Sequence, residues 1–259
     1  MKRLILAVSI VLSAATAQAQ SDFERGIFNH LGFGVGVGTE GGGLNLAVPV
    51  TPFFELSAGV DYIPSIKPSF DVEVNDITTT CAGQSFNIPM NEVKITADAK
   101  RAMFNAKLSI YPFGNKSSFF LAGGLSFGGE RLLDLTGHSD DVKAFMNDAT
   151  IPAPVKSTVF AEIDKYKLQF DQNGDITGEV KVKNVRPYVG LGFGRLVPRN
   201  EIGFRVELGA QFMGKMKIYQ GGEELNASLQ EAAGDDLSDI IDKVKMYPVL
   251  KFTLTGRIF

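Results

Sequence analysis

Apolar and small or polar side chains alternate along most of this chain with a strict period of two. Leu31, Phe33, Val35 and Val37 are separated by Gly32, Gly34, Gly36 and Gly38, and the texture returns from Pro187 to Gly194. A period of two is the signature of extended strand, in which successive side chains point to opposite faces. Glycine is a poor choice for the second face of a strand in water, because it weakens the strand and covers nothing. It suits a face that looks into a narrow, crowded space.

Eight alternating segments follow from the pattern: Ile27–Gly38, Gly43–Val50, Phe53–Ile63, Lys100–Tyr111, Ser118–Leu133, Val180–Arg195, Ile202–Lys215 and Tyr247–Phe259. The connections Thr51-Pro52, Pro112–Ser117 and Leu196–Asn200 are short and rich in turn residues. On the opposite side, a brief Gly-rich turn (Thr39–Gly42) is followed by three long connections, Pro64–Ala99, Asp134–Glu179 and Gln220–Met246. Short turns on one rim and long loops on the other are the layout of a membrane barrel, with short periplasmic turns and long extracellular loops. The predicted fold is all-β: an eight-stranded antiparallel transmembrane β-barrel whose long extracellular loops carry short helices. Strands five to seven are predicted to run on past the membrane.

Periodicity does not say which face is inside. A soluble lipocalin-like barrel turns its apolar face inward, and a membrane barrel turns it to lipid. Glycine crowding on the polar face and the loop asymmetry favour the membrane barrel. That choice sends Glu55, Asp61, Arg101, Lys107, Glu130, Arg186, Arg205, Glu207 and Lys215 into the lumen. Eight strands leave an interior just wide enough for side chains to fill, and buried charge is costly unless paired. The expected lumen is a packed, salt-bridged plug; an ion or proton path is the alternative.

Composition sharpens the compartment. Lys2 and Arg3, the apolar run Leu4–Leu12 and Ala17-Gln18-Ala19 read as a secretory signal, cleaved after Ala19. Residues 1–19 are then the signal peptide and 20–259 the barrel domain; Gln20 carries no lipoprotein mark. With 26 Lys plus Arg against 29 Asp plus Glu and no basic cluster, nucleic acid is not an expected partner. One cysteine, Cys81, allows no intramolecular disulfide, and with only His30 and His138 beside it no metal cluster or cofactor is expected. Tryptophan is absent, so the interfacial girdle falls to Phe53, Phe54, Phe113, Phe119, Phe120 and Phe193 beside the short turns. The last strand ends on Phe259, a feature of chains handled by the barrel-assembly machinery, although its apolar phase runs through Ile258 while Arg257, Thr255 and Thr253 share the phase of Phe259.

Little reads as catalysis. Gly137-His138-Ser139-Asp140-Asp141 invites a rim-protease reading, but Ser139 as N-cap, acids in the first turn and Val142, Phe145 and Met146 at helical spacing describe a helix start. His30 has no serine or acid in phase. Asp171-Gln172-Asn173-Gly174-Asp175 has alternating oxygen ligands, yet Ile176 and Val182 occupy the positions where a calcium loop needs glycine and an acid. Its Asn173-Gly174 predicts a β-hairpin turn between Tyr166–Phe170 and Glu179–Lys183. Glu223–Ala233 and Asp235–Lys245 read as two short loop helices, the second with an apolar stripe of Leu237, Ile240, Ile241 and Val244.

The runs Leu56–Val60, Tyr111-Pro112-Phe113, Arg186–Arg195, Glu207–Phe212, Ile240–Lys243, Tyr247–Lys251 and Gly256-Arg257-Ile258-Phe259 resemble the small porin-like outer-membrane β-barrel proteins of Bacteroidota. The resemblance implies an eight-stranded barrel in the outer membrane and no assigned activity. The function expected is non-enzymatic: envelope structure or surface interaction through the long loops, with the lipid bilayer as partner and any extracellular ligand unspecified. A narrow channel or carrier of small hydrophobic molecules is the first alternative, and a barrel enzyme the second.

Overall fold

The computed structural model describes residues 24–72, 77–81, 84–88, 93–156, 159–163, 166–225 and 245–259. The signal segment and most of the two expected loop helices lie outside the described residues. Glu223 and Glu224, at the start of the first of those helices, are strand instead.

Eight strands close into an antiparallel barrel: β1 (Gly32–Gly38), β2 (Gly41–Thr51), β3 (Phe54–Ile63), β4 (Arg101–Ile110), β5 (Phe119–Phe127), β6 (Val185–Phe193), β7 (Ile202–Phe212) and β8 (Met246–Arg257). Each pairs with its sequence neighbours, and β1 closes the ring on β8 with Val35 opposite Leu254. Closure removes every free edge, as a sheet in hydrocarbon requires. The register keeps like with like: Val35, Leu44, Val60, Phe104 and Phe127 form one outward row across five strands. These residues are exposed, while Glu55, Asp61, Lys107, Arg205, Glu207 and Lys251 on the other face are buried. A continuous apolar outer band around a polar interior is the arrangement of a barrel embedded in lipid. Of the expected Phe girdle, Phe53, Phe54, Phe113 and Phe193 are exposed beside the short turns. Phe120 is instead fully buried in the lumen.

Beyond the long-loop rim, β3 to β7 each continue into a second sheet. Its order is Glu223–Glu224, Lys217–Gln220, Asp175–Lys181, Arg131–His138, Val93–Asp98 and Ser69–Val72. The prolongation expected for strands five to seven is present, but as separate strands after a break. Those of β3 and β4 occur inside the connection Pro64–Ala99, which had read as loop. The breaks fall at Gly128-Gly129, at 182–184 and at 213–216. Gly129 and Gly214 have φ of +71° and +77°, a left-handed backbone that glycine adopts without strain. The breaks bond to one another: Gly129 N donates to Asn184 Oδ1 at 2.9 Å and Lys183 N to Met213 O at 3.0 Å.

The buried phase changes character at this belt. Arg101, Asn105 and Lys107 line the lumen on β4, and Val93, Ile95 and Ala97 occupy the same phase above it. Arg186 and Tyr188 on β6 give way in the same manner to Val182, Val180 and Ile176. Inside is polar within the membrane band and apolar beyond it. The apolar face of the upper sheet forms a cap core with helix α1 (Asp140–Asn147) and the hairpin Phe160–Ile163 with Tyr166–Gln169. Ser139 caps α1, its hydroxyl accepting from Val142 N at 3.3 Å. The expected hairpin about Asn173-Gly174 is corrected: Asp171 N donates to Asp175 O to close that turn, but Tyr166–Gln169 pairs with Phe160–Ile163. The strand after the turn pairs instead with Arg131–His138 along its length and, over Glu179–Lys181, with Lys217–Tyr219.

Candidate functional site

Ion pairs in the lumen join strands that are not neighbours. Arg205 on β7 lies 3.6 Å from Glu55 on β3, four places around the ring and so diametrically opposite. Lys107 on β4 meets Glu207 on β7 at 2.7 Å, and Lys251 on β8 meets Asp61 on β3. Glu207 also accepts from Tyr188 Oη at 2.6 Å and from Arg205 Nη2 at 2.9 Å. Arg205 donates further to Tyr111 Oη and Ser109 Oγ, each at 3.1 Å, and its guanidinium stacks 3.6 Å over the Phe120 ring. Charges taken out of water hold together only when their remaining hydrogen-bonding positions are filled. Here they are filled across the bore.

The glycine face makes room for these side chains. A Cβ on Gly192 would stand 2.6 Å from Phe120 Cζ, and Cβ atoms on Gly190 and Gly209 would meet the Tyr188 hydroxyl. One on Gly43 would collide with the Asp61 carboxylate.

At the short-turn end the bore is stoppered. The connection Leu196–Asn200, expected as a tight surface turn, folds into the mouth: Leu196 and Val197 are buried against Ala47. Glu55 accepts from Leu196 N at 3.2 Å and Val197 N at 3.1 Å. Arg195 stacks 3.6 Å over Tyr111 and donates to Gly114 O at 2.6 Å. Arg25, ahead of β1, donates to Asn115 Oδ1 at 2.7 Å and Val197 O at 3.1 Å.

At the long-loop end the turn between β1 and β2 tucks Glu40 inward. Gln211 Nε2 donates to its carboxylate and to Ser126 Oγ. Beside it, Arg186 donates to Lys183 O at 2.9 Å, Gly129 O at 2.8 Å and Met103 Sδ at 3.5 Å. Arg101 reaches Leu132 O at 3.4 Å and lies 5.3 Å from the Tyr247 ring centre.

Of the lumen charges expected from sequence, Glu55, Asp61, Lys107, Arg205 and Glu207 meet in the network. Arg101 and Arg186 stand apart at the long-loop mouth. Glu130 and Lys215 are not in the lumen at all; both are exposed. Each follows a left-handed glycine, Gly129 or Gly214, which ends the phase that had placed it. Lys251, Tyr111 and Tyr188 join the network beyond those charges, and Glu40 with Gln211 forms a separate buried group on Ser126. Lys251 shares the polar phase of Thr253 and Thr255 and was within reach of the pattern; Glu40 sits in a turn, where phase says nothing.

The residues that had suggested chemistry are occupied structurally. His30 bonds through its two ring nitrogens to the backbone oxygens of Phe259 (2.9 Å) and Glu24 (3.1 Å). His138 lies between Asp175 (2.6 Å from Nδ1) and Asp140 (3.3 Å from Nε2). Those hydrogen bonds, Asp175 first, raise its pKa above the ordinary imidazole value. Asp171 Oδ1 accepts from the backbone N–H of Asn173 and Asp175, both at 2.8 Å, which holds its pKa down. Among the described residues no group of His, Cys, Asp or Glu is arranged to hold a metal ion.

A closed antiparallel ring with lipid outside, a cross-braced polar lumen and a folded cap defines a transmembrane β-barrel of eight strands with a filled interior. No protein-family model matches the chain, and no curated protein sequence matches it. Among solved structures it is similar to the crystal structure of CarO from Acinetobacter baumannii, at 20% identity and a TM-score of 0.46, covering 89% of this chain and 99% of that one. It is likewise similar to CarO2 of the same organism, at 21% identity and 0.45, covering 88% and 98%.

Proposed function

We propose that this chain is an outer-membrane barrel that conducts nothing in its resting form and works, without catalysis, through its cap as an envelope-structure or surface-interaction protein. The observation that carries the reading is the Arg205–Glu55 contact spanning the diameter of the lumen, with Lys107–Glu207 and Lys251–Asp61 beside it. Ions pass a bore through water or through exchangeable ligands, and these pairs set fixed, mutually neutralised side chains across that path. Outside it, the cap carries a hydrophobic core of its own, so the long loops are a folded body that can present a surface. The strand sequences that resemble Bacteroidota outer-membrane barrels support the compartment, with β8 as the element the assembly machinery engages.

Planar-bilayer recording tests this directly. The wild-type protein is expected to be silent. Steady channels in the wild type, altered or abolished by Arg205→Ala or Glu207→Ala, would overturn the filled lumen and favour a narrow channel. Turnover of a lipid or peptide substrate that is lost in His138→Ala would instead restore the enzyme reading.

A further inference from the structure

The charges at the long-loop mouth differ from those deeper in the bore, because they lack partners of opposite sign. Arg186 is fully buried and Arg101 is 8% exposed, yet neither forms an ion pair among the described residues. Arg186 gives one of its N–H groups to the Met103 thioether, a weak acceptor. The other acceptors of both arginines are main-chain carbonyls, and that of Arg101 is long at 3.4 Å. The Nε of Arg101 has no acceptor. The two side chains converge on one stretch of chain, Arg186 on Gly129 O and Arg101 on Leu132 O, and Met103 is the next residue in phase after Arg101 down β4. Two buried guanidinium groups at one mouth, bonded only to dipolar acceptors, carry more positive charge than the single carboxylate near them offsets, and such charge is costly to hold.

Beside them is a carboxylate with the complementary defect. Glu40 is 2% exposed, is bonded only by the neutral Gln211, and has a second oxygen, Oε2, with no donor. Gln211 links it to Ser126, which is the register partner of Arg186. Glu40 is therefore two hydrogen bonds from Ser126, the residue opposite Arg186, and pairs with neither arginine. It rides on a two-residue turn between Gly38 and Gly41. Among the described residues the cap strands prolong β3 to β7, and on the β1–β2 side the described wall of the mouth ends at this turn.

We infer that Arg101 and Arg186 form a binding site for a small oxyanion, a carboxylate or a phosphate, admitted over the β1–β2 turn. The planar fork of each guanidinium suits two oxygens of one such group. Glu40 guards the site by like-charge repulsion, and the Ser126 hydroxyl, which accepts from Gln211, has its own proton to donate at the edge. The site takes its ligand from the long-loop side and requires no passage through the filled bore.

The test uses the full chain refolded in detergent micelles, titrated calorimetrically with inorganic phosphate and, in a separate arm, with acetate; sodium chloride is the control. Saturable binding of one or both oxyanions, absent for chloride, is expected, and the arm that saturates identifies the anion class. Binding should weaken about tenfold or more in Arg101→Gln and in Arg186→Gln, given the strength of charged hydrogen bonds, and should tighten in Glu40→Gln. If either glutamine variant fails to fold, Arg101→Lys and Arg186→Lys keep the charge and lose the fork, and are expected to weaken binding as well. No saturable binding to the folded wild type, or wild-type affinity retained in the folded arginine variants, would overturn the site.

Discussion

Glu207 shows how a residue here is specified by its partners. It receives Lys107 from β4, Tyr188 from β6 and Arg205 from its own strand, so its burial leaves no oxygen bare. The polar phase of β7 announces Arg205 and Glu207 as inward charges; their partners across the bore depend on the ring closing, which strand periodicity does not contain. In the cap, His138 is a separate case. Its hydrogen bonds to Asp175 and Asp140 join the end of one cap strand to the turn before the next and to the first residue of α1. Because its folded pKa is raised, the stabilisation is complete below the unfolded value of about 6.5 and is lost as pH rises through the higher folded value. An NMR titration should place the His138 midpoint above that ordinary value, and Asp175→Asn should bring it back down. A wild-type midpoint at or below the ordinary value would show that the two carboxylates do not hold the ring.

Elements were legible where alternation was unbroken and illegible where a single residue turned the chain. All eight barrel strands follow from the period of two. The breaks at Gly129 and Gly214 do not: both glycines fall in the apolar phase, where Gly123 shows that a glycine can equally be ordinary strand. Only the left-handed φ separates the two uses, and it cost Glu130 and Lys215 their expected places. The connection Leu196–Asn200 misled for a related reason: its composition suits a turn, but Glu55 provides a buried acceptor for two of its N–H groups. The room-making role has a direct consequence for β6. Gly192→Val places branched methyls where Phe120 Cζ stands 2.6 Å from the new Cβ. Phe120 is fixed against Arg205 and Tyr111 and cannot move freely. Overpacking of this kind costs about 1–3 kcal/mol, to be read as a lowered urea midpoint in micelles. The outward Gly123, with open space around it, should accept valine with little loss, and equal losses at both positions would refute the crowding account.

Across the whole molecule, one wall serves two media. β4 and β6 keep a single buried phase from the short turns to the tip of the cap, while the residues in that phase change from Lys107, Arg101 and Arg186 to Ala97, Ile95, Val182 and Ile176. The reversal is what a strand must do when its outer neighbour changes from lipid to water, because the face turned away from the solvent carries what that solvent rejects. The membrane boundary on the long-loop side therefore lies at the belt of breaks near Gly129, Asn184 and Gly214. It was present in the sequence as a change of sign within one alternation, hidden by reading 182–184 as uninterrupted strand and Pro64–Ala99 as loop. Two outward positions on the line of β6 distinguish this boundary from a barrel that merely projects further into lipid. Thr177 lies above the belt and Val189 below it, and both are exposed. In a Cys81→Ser background reconstituted into phospholipid bilayers, Thr177→Cys should react readily with a membrane-impermeant maleimide. Val189→Cys should react on the order of tenfold more slowly, since hydrocarbon excludes the reagent. Comparable rates at the two sites would place both in one medium, and the reversal of polarity along β6 would then mark no membrane surface.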